Sequence, residues 1–287
     1  MIIMIDLNYI VERTNAVNLH NIGLTGRGIT IALLDSGIDI NHDLLKNSKI
    51  KLISLIDDEG MDDYGHGTHI VGILLAIAPE VNILSIKVID SKGETKLSTI
   101  MKGLELAYKM GADIINVSVG EQFEGCLDTH PLTYLVDEIN SNGILIVASA
   151  GNSGPKTSPH IPAGCKNAIA VGSINKYGKT NTWSSRGNIC GDKYPDCVAF
   201  GDEVISLLPN NRVGELSGTS QSCPQVSGML ALIMQSIKQG LKKEEVEFFL
   251  SQSCQWIEKP EKNNFSGWGM IDMEKFFRAV EIYRGKF

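Results

Sequence analysis

No apolar run in the 287 residues reaches the roughly 18 that a membrane-spanning helix needs, so no segment is expected to cross a bilayer. The start, MIIMIDLNYIVERTNAV, has no basic first residues, is interrupted by Asp6 and offers no small-residue cleavage site. It therefore does not read as a secretion signal, and a cytoplasmic location is expected, or a secreted one if the chain is a trimmed mature form. Basic blocks are also missing. With 26 Lys and Arg against 33 Asp and Glu, the net charge of -7 makes nucleic acid and anionic membranes poor partners. The six cysteines, Cys126, Cys165, Cys190, Cys197, Cys223 and Cys254, show no CxxC and no zinc-type spacing, so they are expected to be reduced and no metal is expected. Cys190 and Cys197, which flank GDKYPD, are the best placed to bridge in an oxidising compartment. There is no repeat, no low-complexity tract and no Pro/Gly/Ser linker. One domain over 1–287 is expected, long enough to bury its own core.

What is present is alternation. ITIALL (29–34), KLISLI (51–56), VNILSIKV (81–88), DIINVSV (113–119), GILIVAS (143–149) and AIAVGSI (168–174) read as strands. Several are apolar throughout, as in a parallel sheet covered on both faces. Helical spacing fills the gaps: 97–110, 131–141 and the run from Ser220 to Lys238, with two amphipathic stretches near the C-terminus. The expected fold is α/β, a three-layer, doubly wound, mostly parallel sheet. Ligands in such sheets sit outside the carboxyl ends of the strands. Asp35, Ser118 and Asn152 stand at three of those ends, each with a glycine within two residues.

Three segments carry reactive groups: LLDSGID around Asp35, DYGHGTHIVG around His66 and LSGTSQSCPQVSG around Ser220. Serine, histidine and aspartate together make a hydroxyl nucleophilic near neutral pH. The imidazole takes its proton, and the carboxylate fixes the tautomer and stabilises the cation. Ser220 opens an apolar helix, whose free N–H groups and positive end suit a developing oxyanion. Asn152, in SAGNSG, adds a side-chain donor. His66 and His69 also form an H-x-x-H pair, but the glutamate of a zinc HExxH is absent and no third ligand is evident.

Taken together, the three segments and AGN resemble the subtilisin-like serine peptidases, the subtilases, from about Asn21 to Gly269 and in that family's order. The resemblance implies Asp35 as orienting acid, His66 as general base, Ser220 as nucleophile and Asn152 as oxyanion donor. It implies a peptide or protein substrate that adds as an extended strand between Gly93, Glu94 and Thr95 on one side and Ser118, Val119 and Gly120 on the other. The pocket for the residue before the scissile bond would be walled by Ser118–Gly120 and by Ser149, Ala150 and Gly151, with His160 near its base. No cofactor is implied.

Some features depart from the family pattern. Gln221 follows the nucleophile where methionine is common. The passage from the His66 helix to the next strand lacks the loop that carries the strong calcium site of secreted subtilisins. The usual large prodomain is not expected either. The implied role is a serine endopeptidase in intracellular protein or peptide processing. A catalytically silent subtilase-fold binding protein is the alternative. An α/β-hydrolase esterase fits poorly, because GTSQS is not G-x-S-x-G and the triad order differs. Glu94, Glu121 and Glu124 flank the implied strand site, so a basic residue near the scissile bond is expected to be favoured.

Overall fold

The computed structural model describes residues 2–285 apart from 57–58, 124–126, 128, 156–159 and 190, with backbone alone for 2–7. The helices are α1 (Ile2–Arg13), α2 (Ala16–Asn21), α3 (His66–Ile77), α4 (Leu97–Lys109), α5 (Pro131–Ser141), α6 (Thr219–Ile237), α7 (Lys243–Ser253) and α8 (Met273–Tyr283). The strands are β1 (Thr30–Asp35), β2 (Lys49–Ser54), β3 (Asn82–Lys87), β4 (Ile114–Val117), β5 (Glu121–Gln122), β6 (Leu145–Ser149), β7 (His160–Ile161), β8 (Ala168–Ile174), β9 (Gly187–Ile189), β10 (Asp192–Tyr194), β11 (Cys197–Phe200), β12 (Val204–Leu208), β13 (Arg212–Leu216), β14 (Cys254–Gln255) and β15 (Met270–Ile271). Nine of the strands form one sheet in the order β14-β15-β11-β8-β6-β4-β1-β3-β2, parallel except for the edge strand β14.

The apolar runs are continuous because each strand feeds two cores. In β1, Ile31 and Leu33 enter the layer of α3 and α6, while Ala32 and Leu34 enter the layer of α4 and α5. β6 divides the same way, Leu145 and Val147 against Ile146 and Ala148. A period of two, apolar on both faces, is the pattern of a sheet covered on both sides. The three-layer α/β arrangement expected from the sequence is therefore present. α6 is buried along most of its length because it crosses the middle of one layer. Its neighbour α3 lies between it and the β12–β13 hairpin.

The chain turns from one half of the sheet to the other at β1, which lies between β3 and β4. At such a switch point the loops leaving adjacent strands part, and a crevice opens beyond their carboxyl ends. Asp35 ends β1 and Ser118 follows β4, so both stand at this crevice. Cys197, one of the two cysteines expected to bridge, is a buried free thiol on β11; its suggested partner Cys190 lies outside the described residues.

Candidate active site

His66 is the first residue of α3, and Asp35 the last of β1. The two elements can meet because position 67 is glycine: a Cβ there would run into the Gly37 carbonyl oxygen. The His66 Nδ1 lies 2.8 Å from Asp35 Oδ1, which also accepts the Ser36 N–H at 2.8 Å. Asp35 is buried, while the His66 ring keeps 19% of its side-chain surface exposed towards the crevice. Burial works against the imidazolium, but the charge and hydrogen bond of Asp35, joined by the charge of Asp62, outweigh it. The His66 pKa therefore lies above the ordinary histidine value.

Ser220 enters from the other side, in the first turn of α6. Its N–H belongs to the group that has no intrahelical acceptor. Pro224 has no N–H to give the Ser220 carbonyl four residues back. That carbonyl instead accepts the Ser118 hydroxyl at 3.1 Å, while the Ser220 hydroxyl donates to the Ser118 carbonyl at 2.9 Å. Ser118 is held in turn by Asn116, which accepts from Ser227 on α6. This polar ladder explains why Asn116 interrupts an otherwise apolar β4: it ties the strand end to the helix that carries Ser220.

Asn152 is oriented by Thr219. The Thr219 N–H and hydroxyl both donate to Asn152 Oδ1, at 3.0 and 3.1 Å, which leaves the amide NH2 to face the crevice. Thr219 also receives the Gly151 N–H at 3.0 Å. The threonine of GTS thus sets both the donor and the adjoining wall, a role that the sequence pattern alone does not reveal.

An open depression of about 300 Å³ gathers these groups. His66, Gly93, Ser118, Val119, Gly120, Ser149, Gly151, Asn152, His160 and Ser220 all line it. Of the remaining anticipated residues, Ala150 is buried behind the wall, where its carbonyl accepts the Tyr194 hydroxyl. Glu94 is exposed, and its carbonyl accepts the Asp90 N–H, while Gly93 N–H donates back to Asp90. The Thr95 hydroxyl is spent on Val88. Glu121 is exposed on β5, paired with β7, and Glu124 lies outside the described residues. Glu94 and Glu121 are therefore not among the residues that line the depression.

Its wall carries an imidazole instead. His160 lies so close to Gly151 that a Cβ there would strike the ring, and its Nε2 is 3.1 Å from the Ser153 hydroxyl. At the mouth, the Tyr64 ring packs on Gly93. Tyr64, Ile89 and Ser153 were not anticipated; their place in the lining comes from packing between distant segments.

His69, the second histidine of HGTH, is fully buried, with Nε2 set between the carbonyls of Val204 and Gly214 at 3.0 and 3.2 Å. Burial pushes its pKa down to about 4, so it is a neutral donor that fastens α3 to the β12–β13 hairpin. Cys223 sits beneath the site with its thiol 3.3 Å from the Val147 carbonyl, and burial pushes its pKa far up. Among the described residues, no cluster of three or more His, Cys, Asp or Glu is arranged to hold a metal ion.

A model of the subtilase family of peptidases, Peptidase_S8, matches residues 26–269. The major intracellular serine protease of Bacillus subtilis is 33% identical over 270 residues, covering 85% of this chain and 82% of that protein. Subtilisin E of the same species is 33% identical over 239 residues, 79% of this chain and 60% of that longer protein. A lanthipeptide protease superposes with a TM-score of 0.85 at 23% identity, covering 98% of this chain and 96% of the other, which bears on fold. A mutant of the PatA protease domain superposes with a TM-score of 0.80 at 25% identity, over 91% and 98% of the two chains.

Proposed function

The chain belongs to the subtilase family and is a serine endopeptidase, and from that premise we propose that Asp35, His66 and Ser220 are its catalytic triad, with Asn152 as oxyanion donor. The observation that carries this reading is the 2.8 Å bond between buried Asp35 and His66, which lines the same depression as Ser220 and Asn152. The Ser220 hydroxyl leaves the Ser118 carbonyl and turns to His66 Nε2. That nitrogen takes its proton as Oγ bonds to the scissile carbonyl carbon. Asp35 steadies the resulting imidazolium. The carbonyl oxygen, now negative, lies between Asn152 Nδ2 and the Ser220 N–H at the positive end of α6. The imidazolium then protonates the departing amine as the C–N bond breaks. Water, deprotonated by the same histidine, releases the acyl group and restores the serine.

The substrate is an extended peptide laid between 93–95 and 118–120, with the side chain before the scissile bond directed into the depression beside His160. Processing of a protein or peptide inside the cell is the proposed setting. It is supported by the intracellular relative. Incubation with a diverse peptide library, read by mass spectrometry, tests the reading. Defined cleavage sites that vanish in Ser220→Ala support it. Cleavage that persists in that variant contradicts it.

A further inference from the structure

Five donors converge on Asp62, a buried carboxylate that takes no part in the triad. Its Oδ1 accepts the Ser36 hydroxyl at 2.8 Å and the N–H groups of Tyr64 and Gly65 at 3.2 and 2.7 Å. Its Oδ2 accepts the N–H and hydroxyl of Thr68 at 2.8 and 2.6 Å. Gly65 and Thr68 bracket His66 in the chain, so the carboxylate grips the turn that carries the imidazole on both sides. Ser36 supplies the other end of the clamp. Its N–H binds Asp35 Oδ1, and its hydroxyl donates to Asp62 while accepting the Gly67 N–H at 2.9 Å. One serine therefore joins the carboxylate that orients His66 to the carboxylate that holds the His66 turn.

We propose that Asp62 is a positioning residue for His66: it locks the first turn of α3 to the end of β1, and its negative charge favours the imidazolium formed during turnover. This rests on the reading of His66 as the general base. A carboxylate at a helix start also serves as a cap for orphan N–H groups, and a cap alone would stabilise α3 without touching the chemistry. Here the cap is shared with β1, and the charge is close enough to oppose part of the desolvation of His66. The titratable groups around His66 are Asp35 at the end of β1, Asp62 in the loop before α3, neutral His69 one turn along α3 and Tyr64 at the mouth. The Lys87 ammonium of β3 is paired with Asp63 at 2.9 Å. Asp35 and Asp62 are the two carboxylates that raise the His66 pKa through their charge.

The test uses the full chain and a peptide it cleaves, with pH profiles of kcat and kcat/KM. In Asp62→Asn, kcat is expected to fall about tenfold with KM within about twofold, and the rising limb of kcat/KM to move to lower pH by about half a unit. Ser36→Ala cuts the tie but keeps the charge; kcat is expected to fall about threefold with the limb in place. A folded Asp62→Asn with an unmoved limb and unchanged kcat overturns the proposal. Should Asp62→Asn fail to fold, Ser36→Ala decides: a lowered kcat supports the clamp, and an unchanged kcat reduces Asp62 to a helix cap. Activity that survives in Ser220→Ala would overturn the triad itself. Activity lost there while Asp62→Asn behaves as the parent overturns only the role of Asp62.

Discussion

Asp35 and Asp196 are both buried, and each lies 2.8 Å from a nitrogen that can carry positive charge. Asp196 holds the ammonium groups of Lys243 and Lys262 on one oxygen and the Ala170 N–H on the other, with Glu247 closing the cluster. Burial penalises its charge, but the two lysines prevail and hold its pKa below the ordinary value. Asp35 has a single oxygen engaged by His66 and Ser36; its Oδ2 finds no donor among the described residues. One network is closed on itself. The other ends in an imidazole that opens onto a depression. A buried charge that is fully compensated stabilises a fold, whereas one whose partner must change protonation state can do chemistry.

The sharpest way to break this contrast is Asp35→Asn. It keeps the shape but removes the charge and favours the wrong tautomer of His66, so kcat is expected to fall about 10⁴-fold with the melting temperature little changed. A modest loss would mean that Asp35 is no more than a structural carboxylate. Asn152→Ala comes next. It should cost about 3 kcal/mol of transition-state stabilisation, roughly a hundredfold in kcat with KM nearly constant, the size such a donor carries in the subtilisins themselves. A change confined to KM would make Asn152 a substrate-binding residue instead.

Asp196→Asn should show the reverse signature. Leaving Lys243 and Lys262 with too little counter-charge should cost about 3 kcal/mol of stability, a fall of about 5 °C in melting temperature, with kcat at 25 °C retained. Because the Asp196 pKa is lowered on folding, its contribution is present above the unfolded carboxylate value and is lost as pH falls through the folded one. The smallest effect concerns calcium. Only residues 78–81 link α3 to β3, so a chelator should move the melting temperature by no more than about 2 °C. A shift of tens of degrees would place a strong cation site elsewhere in the chain.

The central strands and helices were legible because each is long, apolar and periodic: the α5 stretch was placed at its observed bounds, and α6 within one residue at either end. KLISLI was placed two residues late. β2 is an edge strand, half exposed, so its apolar pattern runs past the paired segment. The β12–β13 hairpin went unread, since β13 is largely exposed and carries no burial rhythm of its own. At the site, Asp35, His66, Asn152 and Ser220 were visible because each stands at an element end beside glycine, or with glycine a few residues away. Tyr64 and Thr219 were not, because their parts arise from contacts with Gly93 and Asn152, far away in the chain. Glu121 shows the same limit: it follows SVG in sequence, yet it stands exposed on β5 and is not part of the lining of the depression.

The central claim, that Ser220 is made nucleophilic by a histidine held by a buried carboxylate, is tested most directly by reaction with an aryl sulfonyl fluoride across pH. The elevated His66 pKa fixes the sign. The imidazole accepts a proton only when neutral, so the inactivation rate should rise with pH to a midpoint above 6.5. The stability that the imidazolium gains from Asp35 is present at lower pH and is lost as pH rises through the same folded value. The expected result is one adduct, mapped to Ser220, at a rate that follows that titration and collapses in His66→Ala. An adduct on another residue, or equally fast labelling without His66, would contradict the account.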